Sequence, residues 1–283
     1  MHTISTAPRR KRWLIGALLL APVLVLAAFA AWTDHEIDQQ AVRIVAQAER
    51  HAPPALGALD GLPAPVARYL RLAVRESVPS RRVEIEQQGD FRRPKTEAFN
   101  PTTARQIIAT GSPAMLFDAT TWVFRPLLWA RAYDAYADGQ MTMKAKVLSA
   151  VAVVDEMESP ELNQISLRRW LLESPLYPVA LLPGGPVTWE PMDDRHARAR
   201  VSAGGLQATL VATFGADGLL QSFHAEEDGD LNTPYHGSGE HVQRSDYQPH
   251  NGMLIPMRFT ISRKAGGQIQ PFWRGSVTQI RFL

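Results

Sequence analysis

Between His224 and His250 the chain gathers four imidazoles and six carboxylates: His224, Glu226, Glu227, Asp228, Asp230, His236, Glu240, His241, Asp246 and His250. Imidazole nitrogen and carboxylate oxygen together can hold a divalent metal, and a metal so held could support hydrolysis. His224, Glu226, His236 and His241 are the candidate ligands, the first two lying on one face if the segment is a strand. Their spacing matches no zinc signature, such as two histidines four apart on a helix with a glutamate between them. Solvated strand faces and loops account for the same residues. Ser238, between Gly237 and Gly239, lacks the outer glycines and the strand-to-helix turn of a nucleophile elbow. Gly184-Gly185-Pro186 and Gly204-Gly205 precede no helix and so read as loops rather than phosphate cradles. The chain has no cysteine, which removes thiolate metal sites, thiol nucleophiles, disulfides and an acylated cysteine. No catalytic role and no cofactor is expected.

A second set could bind rather than react. Met141, Met143, Trp170, Tyr177, Leu181, Trp189 and Phe214 are large apolar or polarizable side chains. On the concave side of a curved sheet they would line a pocket for an acyl chain, a lipid or a lipidated peptide, methionine adapting to irregular ligands. The same residues also make an ordinary closed core, because such side chains bury by default. A third possibility is structural: the exposed edge of an incomplete barrel can accept a strand from another envelope protein.

The place of action is written at the N-terminus. Trp13 to Trp32 is an uncharged run preceded directly by Arg9, Arg10, Lys11 and Arg12. A helix of that length spans roughly 30 Å, the thickness of bilayer hydrocarbon, and tolerates Pro22 there. Trp13 and Trp32 sit where interfacial rings belong, and the four cations keep residues 1–12 in the cytoplasm. The expectation is a single-pass anchor in a bacterial inner membrane with the main domain outside the cytoplasm. Ala28, Phe29 and Ala30 also fit a signal-peptidase site, so a cleaved signal is the alternative; either reading exports the chain. Setting the four cations of the anchor aside, 26 Lys and Arg face 28 Asp and Glu. That balance excludes nucleic acid as an expected partner.

The elements that would position these residues follow from periodicity. Thr33 and Glu36 form a capping box ahead of Ile37, Ala41, Ile44, Val45 and Ala48 on one helical face, a stalk or packing helix within residues 33–61. A short helix starts near Pro65. Alternation then marks strands at Val83 to Gln88, at Met141 to Val147 and at Leu206 to Phe214. Asp217-Gly218, Asn251-Gly252 and Gly266-Gly267 turn successive strands back on each other, which makes the sheet antiparallel. Ser159-Pro160-Glu161 opens one helix, apolar almost all round, that ends at Pro175. A large antiparallel sheet with one such helix in mid-sequence predicts a mainly β fold: a curved sheet or half-open barrel wrapped around the helix.

Two resemblances add to this. Glu161, Leu171, Glu173, Tyr177, Pro178, Ala180 to Pro183, Val187, Trp189 and Glu190 resemble the signature of an uncharacterised bacterial family of membrane-anchored proteins. So do Thr233, Pro234, Tyr235, Gly237, Tyr247, Gly252, Ile255, Pro256, and Phe272 to Gly275 with Val277 and Ile280. The resemblance spans residues 62–283 and implies no established activity. The order of strands and helix is similar to the half-barrel of LolA- and LolB-type lipoprotein carriers, which implies an apolar cavity plugged by helices. This chain departs from LolA by its anchor and from LolB by lacking the acylated cysteine.

Overall fold

The structure, a computed structural model, describes residues 9–75, 80–93, 96–156, 158–229 and 239–283, with side chains from Leu20 onward. Helix α1, Arg9–Arg50, runs unbroken through Pro22 and past Thr33. The new helix start expected at Thr33 is therefore not used. Its hydroxyl instead donates to the Ser149 carbonyl at 3.0 Å, and Glu36 accepts from Lys144 and Lys146 at 3.3 and 2.5 Å. With both side chains engaged by the sheet, backbone hydrogen bonding simply continues, and the apolar run and the segment after it are one rod about 63 Å long. Helix α2, Ala64–Ala73, follows Pro63 and buries Val66, Tyr69, Leu70 and Ala73, the inner stripe expected from its 3.6-residue period.

Six strands come next: β1 Arg82–Arg92, β2 Phe99–Ala109, β3 Met115–Phe124, β4 Leu128–Ala137, β5 Gln140–Val147 and β6 Val151–Glu156. Helix α3, Pro160–Glu173, and two 3-10 turns, Ser174–Leu176 and Pro178–Leu181, interrupt them. Seven more follow: β7 Val187–Pro191, β8 His196–Ala203, β9 Leu206–Phe214, β10 Leu220–His224, β11 Glu240–His250, β12 Met253–Ala265 and β13 Gln268–Phe282. All thirteen form one antiparallel sheet in the order β6-β5-β4-β3-β2-β1-β13-β12-β11-β10-β9-β8-β7. Two meanders thus meet at the β1–β13 pair and end in the open edges β6 and β7. Asn251 and Gly252 (φ 51° and 76°) and Gly266 and Gly267 (φ 56° and 74°) make the two-residue hairpin turns the sequence calls for.

Helices lie on both faces of the sheet, and strand alternation assigns each side chain to one of them. On the inner face, α3 and the 3-10 turns pack with Ile85, Ile108, Met115, Leu210 and Phe223 into one core. Ser159 starts α3 by accepting the Leu162 N–H, and the Trp170 indole donates to the Ala109 carbonyl at 2.9 Å. On the outer face, Ile37, Ile44 and Ala48 of α1 close over Ile107, Leu116 and Tyr133 in a separate cluster. Ile107 and Ile108 are neighbours in β2 and serve opposite cores, as the period of two requires.

The two meanders join through Gly89 and Gly275, which are direct partners in β1 and β13. A Cβ on Gly89 would lie 2.1 Å from the Arg274 carbonyl oxygen, and one on Gly275 would lie 2.3 Å from that of Gln88. Backbone on both sides leaves nothing flexible to yield. Gly89→Ala should therefore cost about 3 kcal/mol in chemical denaturation. Gly57→Ala, where no atom lies within 4 Å, should be neutral; equal effects would contradict this account of the joint.

Candidate functional site

The seven apolar residues singled out in the sequence come together in the inner core. Met141, Trp170, Tyr177, Leu181 and Phe214 are buried, and Met143 and Trp189 are half-buried against them. Trp170 lies 5.5 Å from Tyr177, whose hydroxyl donates to the Trp170 carbonyl. Trp189 lies 6.4 Å from both Phe214 and Phe223, stacked on the latter, and its indole N–H donates to the Leu181 carbonyl at 3.2 Å. Phe214 in turn meets Tyr69 of α2 at 5.8 Å. The residues converge from β5, α3, the 3-10 turns, β7 and β9, and in this conformation they pack on one another.

Polar contacts hold the α3 segment against the sheet at several points. The Met141 N–H donates to the Asn163 side chain at 2.9 Å, Arg168 pairs with Glu240 at 3.1 Å, and Arg169 pairs with Asp134. At the end of α3, Glu173 accepts from Arg244 of β11 at 2.6 Å, both side chains being shut off from solvent. Arg244 also donates to the Leu172 carbonyl at 3.3 Å, while its Nε and Nη1 have no hydrogen-bond partner. A buried ion pair of this kind fixes position more than it stabilises, because desolvation offsets the attraction. Burial, together with the Glu173 charge, pushes the Tyr177 hydroxyl well above its ordinary range, so it keeps the proton it donates to the Trp170 carbonyl. The Glu173–Arg244 pair escaped the sequence reading because its partners lie 71 residues apart.

The described residues of the histidine-rich region lie in β10 and β11 and just after β10. His224 and His241 are direct cross-strand partners with rings 6.3 Å apart. Glu226 is engaged elsewhere, taking two hydrogen bonds from Arg198 at 2.8 and 2.6 Å. His236 and Ser238 lie outside the described residues. Among the described residues no group of three metal-ligating side chains converges.

The opposite face carries a concavity of about 1020 Å³ across β2, β1, β13, β12, β11 and β10. Its lining is a contiguous set of cross-strand neighbours: Thr103, Gln88, Ser276 and Arg258 along one row, and Asp90, Arg274, Thr260 and Gln243 along the next. Arg125, from the β3–β4 turn, closes one side. Sequence reading passed over these residues, since hydroxyls, amides and arginines on alternate strand positions read only as a solvated face. The space is polar and open, unlike the apolar interior.

Burial, then nearby Lys264 and His196, lower the pKa of His224; burial, His224 and Lys264 do the same to His241. The folded state therefore favours both neutral rings, and the unfolded chain binds more protons once pH falls below the ordinary value of 6.5. Stability from this source is complete above pH 6.5 and is lost as pH falls toward the folded values. The midpoint of thermal unfolding should drop between pH 7.5 and 5.5, and the drop should shrink in His224→Gln/His241→Gln; an unchanged slope would show that these rings are not the sensitive groups.

No curated protein matches the chain. Among solved structures it is similar to a LolA superfamily protein from Nitrosomonas europaea, at 6% identity and a TM-score of 0.41, over 77% of this chain and 92% of that one. A family model described as a family of unknown function, DUF6920, matches residues 60–282, which take in α2, α3 and all thirteen strands. The chain belongs to the DUF6920 family.

Proposed function

We propose that this is a single-pass protein of the bacterial inner membrane, with its half-barrel outside the cytoplasm, that binds an apolar ligand such as a lipid, an acyl chain or a lipidated peptide. The role is binding and not catalysis. The observation that carries the reading is the way the inner face is covered. A closed barrel or a sandwich would protect it with more sheet, but here one mid-chain segment, α3 and its two 3-10 turns, fills the concave side between the unpaired edges β6 and β7. Such a plug presents to the sheet the kind of surface an acyl chain would present, and a few polar latches hold it. Release of Arg169 from Asp134 and of Glu173 from Arg244 would expose Trp170, Trp189, Met141 and Phe214 on one concave apolar wall, the lining typical of ligand sites.

The apolar N-terminal helix supports the placement. Among the described residues one helix is long and apolar enough to cross a membrane, so ligand and domain would share the same lipid source. A second reading has its own support. Val151 and Val153 on the edge strand β6 are 63% and 60% exposed, and an apolar open edge is a place for a strand from an envelope protein to add.

A diazirine-bearing fatty acid, photolysed with the full chain in lipid nanodiscs, distinguishes the two. Adducts on α3 and on the inner positions of β5 and β9 are expected for the lipid-binding reading. Adducts confined to the apolar part of α1, together with in-cell cross-links from β6 to one reproducible protein, would overturn it in favour of assembly.

A further inference from the structure

The sheet and α1 are held in a fixed register, and that register sets how close the domain stands to the bilayer. Arg131 of β4 pairs with Asp34 at 3.3 Å, and the N–H of Asp138, just past β4, donates to Gln47 at 2.8 Å. Along α1 these points are 13 residues apart, about 20 Å; along the strand they are seven apart, about 23 Å. Helix and strand thus run side by side in the same direction. Continuing toward the N-terminus, the β3–β4 turn lies four residues beyond the Arg131–Thr120 pair, or about 13 Å. On the helix that distance is about nine residues, which brings the turn level with Val25, inside the apolar run.

The side chains at that turn suit the position. Phe124 and Leu127 are 64% and 68% exposed. Behind them, by the same register, Trp122 and Trp129 pair 5.9 Å apart near the level of Phe29 and Ala30. The Trp129 indole donates to Ser149 Oγ, and Ser149 also receives the Thr33 hydroxyl on its carbonyl, so this pair is tied to the helix beside exposed Trp32. Leu26 and Ala30 are half-buried while the rest of residues 20–32 is exposed, and they share a helix face with Thr33 and Ile37. The turn closes its own backbone, the Leu127 N–H donating to the Phe124 carbonyl at 2.8 Å, and the Arg125 guanidinium sits 5.4 Å over the Trp122 ring. Apolar tip, paired indoles behind it and a cation able to reach back to water are the pattern of an element seated in the membrane interface.

We infer that the β3–β4 turn inserts into the outer leaflet beside α1, with Phe124 and Leu127 among the acyl chains and Trp122, Trp129 and Trp32 in one interfacial plane. The domain then rests on the bilayer through two elements and not one. This rests on α1 spanning the membrane.

Because the chain has no cysteine, single labels test it directly. Leu127→Cys, Phe29→Cys and Gln140→Cys, each in the full chain, carry an environment-sensitive fluorophore in vesicles of phosphatidylethanolamine and phosphatidylglycerol. Gln140 follows the opposite end of β4. The label at 127 should be quenched by acyl-chain doxyl lipids like that at 29 and shielded from aqueous iodide, whereas the label at 140 should show the reverse. Iodide access at 127 equal to that at 140 would overturn insertion. Shielding at 127 without doxyl quenching would overturn it too, placing a protein on the turn. Failure of doxyl quenching at 29 would instead refute the span itself. Leu127 is exposed, so its replacement leaves both cores intact.

Discussion

Glu36 stands on α1 just past the end of the apolar run, and Lys144 and Lys146 of β5 close on it. Burial would raise its pKa, but the hydrogen bonds from Lys146 and Lys144 outweigh this and hold the carboxyl below the usual range. The ion pair therefore persists through neutral pH and weakens only in acid. Around it, Asp34 and Asp118 share Arg131, Thr33 meets Ser149, and Gln47 bonds Ser112, Pro113 and Asp138. These contacts, with Ile37 and Ile44 in the cluster beneath, turn the long N-terminal helix and the sheet into one rigid body. Orientation of the half-barrel relative to the apolar run of α1, and the direction its edges face, depend on that docking.

The two faces of the sheet consequently do different work. The outer face of β2, β3 and β4 belongs to α1, leaving the polar concavity around Arg258 and Arg274 open to solvent. The inner face belongs to the α3 segment. Its apolar fit is close, yet the points that fix it are charged: Arg169 with Asp134, Arg168 with Glu240 and Glu173 with Arg244. Charged pairs set position without adding much net stability, so these pairs locate the plug while apolar contacts supply most of what holds it.

Much of this was legible in the chain because local chemistry decides it. Asn251-Gly252 and Gly266-Gly267 need positive φ and mark their turns; Ser159 caps α3; Leu206 to Phe214 alternates cleanly. Strand β8 was not read although Ala197, Ala199 and Val201 alternate with Arg198 and Arg200, since alanine gives little contrast. The convergence of Trp170, Tyr177, Leu181, Trp189 and Phe214 followed from the expected fold, but their close packing depends on how the plug fits, which no periodicity encodes. The unbroken α1 was the plainest departure. Thr33 and Glu36 read locally as a helix start, and their real partners lie more than 100 residues away. The β3–β4 turn was invisible for the same reason: Phe124 and Leu127 acquire meaning only once the register against α1 is known.

Docking of α1 is therefore the point at which the account is most exposed. Spin labels on Leu20→Cys, in the apolar part of α1, and on Gln140→Cys, just past the far end of β4, report it by pulsed dipolar spectroscopy of the full chain in nanodiscs. A single narrow distance distribution, unchanged between neutral pH and moderate salt, is the result expected of one rigid body. A broad distribution would contradict it, because the domain would then swing on α1 and the docking contacts would not fix it.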